Sequence, residues 1–380
     1  MLRTRTQDGS RFPRANKPHA PMHRPHLSPV PDGADDPLGA DLGPRAIDRF
    51  SRPLEDFRIS LIDRCNLRCG YCMPAEIFGP SYAFLPHREW LDFPQIARLV
   101  EALSLLGLKK VRLTGGEPLL RPNLAGLVEL LRTSGWTGDL ALTTNGLLLD
   151  SFASPLRKAG LDRVTVSLDA LDDQAFLKMS GGRGKLARVI DGIDAAIDAG
   201  LHVKINSVIQ KGSNDCQILP LATFAKDRKI EIRFIEFMDV GNHNAWSLEQ
   251  VLSAAEMQAI IARTFPFETL PRSSPSVTSE RFRYLDGSGT FGLIASVTRP
   301  FCGACSRARL SADGKLFTCL FASSGHDLRP LLSAAGSSFD LAAQIAALWG
   351  RRDDRASEIR DAQTQRTPGS SKVEMSYIGG

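Results

Sequence analysis

Six of the seven cysteines in this chain of 380 residues fall in two tight groups, Cys65/Cys69/Cys72 and Cys302/Cys305/Cys319, leaving Cys216 alone. An odd number of clustered thiols suits metal binding in a reducing compartment better than a disulfide framework. The first group lies in DRCNLRCGYCM, residues 63–73, where CxxxCxxC brings three thiolates within eight residues. A 4Fe-4S cluster is usually held by four cysteines, so three with no fourth nearby leave one iron open to a ligand. Zinc is the alternative, but its sites close with four Cys or His ligands, and this loop holds no His. The second group, in FCGACSRARLSADGKLFTCLF, is a CxxC followed after thirteen residues by a third cysteine. Zinc is a stronger alternative there, because CxxC is a common zinc spacing and His326 lies seven residues beyond Cys319.

Cations accompany the thiols. Arg307 and Arg309 lie between the cysteines of the second group, and Arg58, Arg112 and Lys204 sit in β-like runs. Several cations converging on one cavity are costly unless a polyanion occupies it, and a triphosphate, gripped in pairs of oxygens by guanidinium forks, meets that need.

These side chains must be positioned by the segment from Asp56 onward, where short apolar runs alternate with helical patterns. The runs are Phe57–Ile62, Lys110–Thr114, Leu140–Thr144, Arg163–Asp169, His202–Ile209 and Ile230–Met238. Phe93, Ile96, Leu99, Val100, Leu103 and Leu106 follow helical spacing up to Gly107, and similar patterns predict helices over 123–133, 185–199 and 216–228. Repeated strand-helix units imply a parallel α/β sheet, either doubly wound or a partial (β/α)6 barrel. Within the runs, Val111 and Leu113 alternate with Arg112 and Thr114, Val164 and Val166 with Thr165 and Ser167, and Val203 and Ile205 with Lys204 and Asn206. One face is apolar and the other polar, whereas the lumen of an ordinary closed barrel is filled by branched apolar residues. The pattern predicts an open, TIM-type partial barrel around a charged ligand, with an antiparallel sheet wetted on one face as the alternative.

Bulk composition limits the remaining classes. The net charge of +5 is matched by residues 1–31, which hold six Lys/Arg and one Asp, so the rest of the chain is formally neutral. That balance, with no interleaving of aromatic and basic residues, argues against a nucleic-acid partner. No run approaches the roughly 18 apolar residues of a membrane span, so no membrane partner and a cytoplasmic location are expected. Residues 1–50, rich in Pro, Arg and His without apolar periodicity, are expected to be a disordered extension. The expected organisation is then a partial barrel over 51–265 and a C-terminal region over 266–380. Cys216 reads as an ordinary buried or idle thiol.

The cysteine loop, with Tyr71 before its last cysteine, and the TGGEPLL run at 114–120 resemble the radical S-adenosylmethionine (SAM) superfamily. Within it, FRISLIDRCNLRCGYCMP, KKVRLTGGEPLLR, LTTNG, VTVSLDA, KINSVI, IRFIEFMDVGN, CSRARLSADGKLFTCLF and the terminal MSYIGG resemble the GTP 3',8-cyclases of molybdenum cofactor biosynthesis, from about Asp56 to Gly380. The resemblance implies a lyase with SAM and two 4Fe-4S clusters as cofactors, one on Cys65, Cys69 and Cys72 and an auxiliary one on Cys302, Cys305 and Cys319. By the same resemblance Tyr71, Gly116, Ser167 and Met238 contact SAM. Gly115 and Glu117 join Gly116 around its amino group, and Arg58, Arg112, Thr143, Lys204, Arg307, Ala308 and Arg309 contact GTP. Arg307 and Arg309 are counted with the cluster cysteines as catalytic, and the Gly379–Gly380 tail reaches into the site. The implied reaction removes the ribose 3' hydrogen of GTP with a 5'-deoxyadenosyl radical. The C3' radical then adds to guanine C8, giving (8S)-3',8-cyclo-7,8-dihydroguanosine 5'-triphosphate. Implied partners are a low-potential electron donor, a cyclic pyranopterin monophosphate synthase that receives the product, and a second copy of the chain if it dimerises. Two other readings stay open on sequence: a peptide-modifying radical SAM enzyme with an auxiliary cluster, and a zinc-ribbon nucleic-acid-binding protein with a basic arm.

Overall fold

A computed structural model describes residues 45–359 and 372–380, which belong to one compact unit. The expected extension over 1–50 lies outside the described residues up to 44. Its last residues belong to the folded body, because Ala46 and Asp48 are buried and Ile47 bridges to Pro53. The boundary at residue 50 is therefore too late.

Six parallel strands form the frame: β1 (Asp56–Ser60), β2 (Lys110–Thr114), β3 (Asp139–Thr144), β4 (Arg163–Ser167), β5 (His202–Ile209) and β6 (Glu231–Glu236). They lie side by side in sequence order, and every adjacent pair is parallel. Sequential order is that of a barrel wound one way, since a doubly wound sheet reverses direction at a switch point. The antiparallel alternative is excluded for these strands. The intervening helices are α1 (Phe93–Ser104), α2 (Leu124–Thr133), α3 (Leu149–Lys158), α4 (Asp173–Met179), α5 (Leu186–Asp198) and α6 (Ile218–Asp227).

Local chemistry sets these boundaries. Asp92 caps α1 by accepting from Gln95 N at 2.7 Å while Gln95 Oε1 accepts from Asp92 N at 2.9 Å, a reciprocal capping box. Helix α5 ends where Gly200 takes φ +76°, a conformation that glycine adopts without a Cβ penalty. The strand alternation places Phe57, Ile59, Val111, Leu113, Leu140, Leu142, Val164, Val166, Val203 and Ile205 in one continuous core beneath the helices. The opposite face looks into the lumen.

The region after residue 266 extends this frame. Helix α7 (Ala254–Ala262) is followed by β7 (Phe267–Thr269), β8 (Glu280–Tyr284), β9 (Thr290–Ile294), β10 (Arg307–Leu310), β11 (Lys315–Phe317) and β12 (His326–Asp327). Strand β9 adds parallel to β6 and carries the β8–β7 meander, whereas β10 adds parallel to β1 and carries β11 and β12. Both ends of the six-stranded frame are thus covered by C-terminal strands. Helices α8 (Arg329–Ala334), α9 (Ser338–Gly350) and α10 (Met375–Ile378) complete the chain, with α9 packed on α1. Among the described residues no helix is long and apolar enough to cross a membrane.

Candidate active site

One cavity gathers nearly every residue singled out in the sequence. Its lining includes all six clustered cysteines together with Tyr71, Gly115, Gly116, Ser167, Met238, Arg58, Arg112, Thr143, Arg307 and Arg309, and also Met375, Ser376 and Gly380 from the chain's end.

The first thiol loop is tied down by the run that follows β2. Gly116 N donates to Ile62 O at 2.7 Å and Glu117 N to Arg64 O at 2.8 Å. Side chains at Gly115 and Gly116 would collide with the carbonyls of Ile62 and Arg64, so these glycines are required by the loop's own backbone as well as by any ligand. Glu117, which the resemblance implies meets the SAM amino group, also has partners within the protein. It is 1% exposed, and its carboxylate accepts from Leu119 N at 3.1 Å, Thr144 Oγ1 at 2.7 Å and Asn145 N at 2.8 Å. Burial nevertheless pushes its pKa up to about 7. The chain so held presents Asn145, whose Nδ2 lies 3.7 Å from Cys65 Sγ and donates to Asn66 Oδ1 at 2.7 Å. Tyr71 is fixed by donating to Asp169 Oδ2 at 2.8 Å.

The second triad comes from three places: Cys302 opens a 3-10 turn, Cys305 precedes β10, and Cys319 follows β11. Arg307 reaches back to donate to Cys305 Sγ through Nε at 3.3 Å and Nη2 at 3.2 Å. Burial alone would raise the Cys305 thiol, but Arg307 and Arg352 outweigh it and bring it down to about 6. In the first triad burial wins, helped by neighbouring acids, and Cys65 is pushed up to about 11 while Cys69 and Cys72 rise further. Bound iron would displace those protons, because only thiolates ligate.

The same cavity is lined by a row of guanidiniums. Parallel register puts Arg309, Arg58 and Arg112 opposite one another on β10, β1 and β2. Burial and mutual repulsion pull Arg58 and Arg112 down to about 9 and Arg309 to about 10. Arg112 Nη1 meets Thr143 Oγ1 at 3.4 Å, while Arg58 Nε and Arg112 Nε are buried with no hydrogen-bond partner among the described residues. Unpaired buried cations on adjacent strands are what a polyanion would relieve. At the strand ends below them Asp56 offsets part of this charge. Burial would raise its carboxyl, but Arg58, Lys110, Arg112 and Arg307 hold it down at about 2.

Two expected contacts depart from this pattern. Lys204 does not line the cavity and pairs with Glu231 at 3.6 Å. The side chain of Ala308 points away, fully buried in the core between the inward-facing Arg307 and Arg309, so only its backbone is on offer. Arg233, in IRFIEF on β6, joins the lining instead, on the lumen parity shared by Arg112 on β2. The alternation rule could have found it. Cys216 is exposed rather than buried, and His326 lies exposed on β12 and does not line the cavity.

The donor sets fit iron-sulfur clusters. Within each triad the thiols lie close enough to influence one another's protonation, and a thiolate triad suits a cluster that keeps one iron open.

An open parallel barrel with a CxxxCxxC loop at the end of β1 defines a radical SAM enzyme, and the radical SAM superfamily pattern matches residues 59–225. The pattern described as Molybdenum Cofactor Synthesis C matches residues 230–358. The chain is 49% identical over 356 residues to the GTP 3',8-cyclase of Acidothermus cellulolyticus, spanning 88% of this chain and 98% of that one. It is 46% identical over 334 residues to the GTP 3',8-cyclase of Staphylococcus epidermidis, with the same shares. The chain belongs to the GTP 3',8-cyclase family, whose cofactors are SAM and two 4Fe-4S clusters. Streptococcus suis SuiB bound to S-adenosylmethionine shares the fold, with TM-score 0.56 and 16% identity over 87% of this chain and 73% of that one.

Proposed function

We propose that the chain cyclises GTP to (8S)-3',8-cyclo-7,8-dihydroguanosine 5'-triphosphate, the opening reaction of molybdenum cofactor biosynthesis. The observation that carries the reading is the convergence of two thiol triads on one cavity, with a row of three in-register guanidiniums, Arg309, Arg58 and Arg112, on its wall. Cys65, Cys69 and Cys72 hold one cluster and Cys302, Cys305 and Cys319 the other, and each set leaves one iron without a protein ligand. When bound, the first cluster and SAM supply the one-electron cleavage whose 5'-deoxyadenosyl radical takes the ribose 3' hydrogen of GTP.

The chain's own residues do the positioning. Tyr71, held by Asp169, with Gly116, Ser167 and Met238, lines the SAM side. Arg58, Arg112 and Arg309 grip the triphosphate, and Arg307, Thr143 and the backbone of Ala308 border the nucleoside. Gripping GTP at its anionic end fixes C3' relative to the radical source, which turns an indiscriminate abstraction into a selective one. Closure of the C3'–C8 bond leaves an unpaired electron on the base, so one electron and one proton complete the product. That electron requires a low-potential donor, and the product passes to a cyclic pyranopterin monophosphate synthase. The Gly379–Gly380 end narrows the cavity, where Arg309 Nη1 donates to Gly379 O.

The test is anaerobic turnover with GTP deuterated at C3'. The expected result is deuterium in the 5'-deoxyadenosine released, in step with loss of GTP. Cleavage of SAM with GTP left intact overturns the substrate assignment.

A further inference from the structure

A second set of buried charges surrounds the Cys302, Cys305 and Cys319 segments. The carboxylate of Asp48 accepts from Arg52 Nε at 2.7 Å and from Arg352 Nη1 at 2.9 Å, and none of these three side chains is more than 2% exposed. Arg52 Nη1 donates to Cys302 O at 2.7 Å and to Asp354 O at 2.8 Å. Arg352 Nη1 also donates to Cys305 O at 2.7 Å, and its Nε donates to Thr318 O, the peptide carbonyl leading into Cys319, at 3.1 Å. Trp349 completes the cage: its indole Nε1 donates to Arg52 O at 3.0 Å, and its ring lies 4.5 Å beneath the Arg352 guanidinium.

No single helix or strand supports all three thiols, which come from a 3-10 turn, a strand entry and a loop. The carbonyls of Cys302 and Cys305, and that of Thr318 just before Cys319, are instead held by two guanidiniums whose orientation is set by one carboxylate. Burying three charges is costly unless hydrogen bonds satisfy them, and three of the six bonds these two guanidiniums make go to the peptide carbonyls of Cys302, Cys305 and Thr318.

We infer that Asp48, Arg52 and Arg352 are positioning residues for the second iron-sulfur centre: the two arginines fix the peptide carbonyls at all three thiols, and Asp48 fixes the arginines. The inference rests on the reading that these thiols hold a cluster. It extends the site to a segment before the barrel, and it gives the charges an electrostatic role. A cation near a cluster favours its reduced, more negative form, and an anion opposes it, so the trio also sets the potential of the centre.

The test uses the full-length chain with Cys65→Ser, Cys69→Ser and Cys72→Ser, so that all iron reports on the second triad. Iron and sulfide per chain and the midpoint potential are measured after anaerobic reconstitution. Arg52→Gln and Arg352→Gln are expected to lose most of the iron and sulfide. In the fraction retained, Arg352→Gln shifts the potential down, Asp48→Asn shifts it up, and Arg352→Lys, which keeps the charge without the fork, leaves it in place while losing iron. A network that merely stabilises the fold gives no opposite shifts. Iron content and potential equal to the parent's in Asp48→Asn and Arg352→Lys overturn the inference, and these two near-isosteric variants decide it even where the glutamine variants do not fold. A parent protein that binds no iron and sulfide overturns the cluster reading itself.

Discussion

Gly379 and Gly380 are interchangeable in sequence but not in structure. Gly379 has φ +75° and ψ 126°, and an added Cβ would overlap Thr114 Cγ2. Gly380 offers open conformational space, and a Cβ there would first meet Met375 Sδ at 3.2 Å, near the end of a flexible side chain. For Gly379→Ala the backbone strain costs about 1–3 kcal/mol and the overpacking about as much again, in total about 2–6 kcal/mol against the docked tail. That corresponds to a fall in the docked fraction of between about 30-fold and 10⁴-fold, limited by the docking energy available. The tail contributes no strand to the sheet, so the loss is confined to docking and leaves the barrel intact. Thr114→Ser removes Cγ2 and keeps the hydroxyl, so the double variant should regain the overpacking share and retain the backbone share. The assays are GTP turnover by the reconstituted enzyme and the rate at which carboxypeptidase trims the C-terminus. Gly379→Ala with unchanged turnover and trimming, or Gly380→Ala with the larger defect, would refute the reasoning, as would a double variant no better than Gly379→Ala alone.

Arg112→Met should weaken GTP binding about 10-fold to 150-fold, the loss of one charge-assisted hydrogen bond of about 1.5–3 kcal/mol, by calorimetric titration. The same change removes one of three mutually repelling cations, so thermal unfolding of the ligand-free protein should move up, and a fall in both quantities would contradict the polyanion reading. Tyr377 donates to Asp313 Oδ1 at 2.6 Å and accepts from Lys315 Nζ at 3.2 Å, so Tyr377→Phe should speed carboxypeptidase trimming with little change in global unfolding. The Glu117 carboxyl titrates at about 7 when folded against 4.5 as its ordinary value, so the folded state binds more protons between those pH values. Its contribution is complete below pH 4.5 and is lost as pH rises to 7, by about 3 kcal/mol in denaturant unfolding of the reduced apoprotein; Glu117→Gln should flatten that slope.

The barrel was legible because its strands carry two messages at once. Val111 and Leu113 must face helices and Arg112 must face something polar, and only an open parallel barrel satisfies both around a ligand. Helix α3 escaped this reading because Pro155 lies inside it, where a missing N–H and ring bulk argue against a helix that burial of Leu149, Ala153 and Leu156 nonetheless secures. The C-terminal strands escaped for a different reason. Strand β12 has two residues and β11 three, too few for a period to register, and the parallel pairing of β10 with β1 joins segments some 250 positions apart. The thiols and the arginines between them were found by spacing, since the chemistry of each group is carried by near neighbours in the chain. Asp48, Arg52 and Arg352 could not be, because each looks like an ordinary surface charge until folding buries it. What makes them a unit is one carboxylate shared across 304 positions of sequence, an arrangement with no local signature. Local chemistry therefore picks out the thiols proposed to bind the clusters, whereas the residues proposed to hold those thiols in place emerge only from the folded sheet.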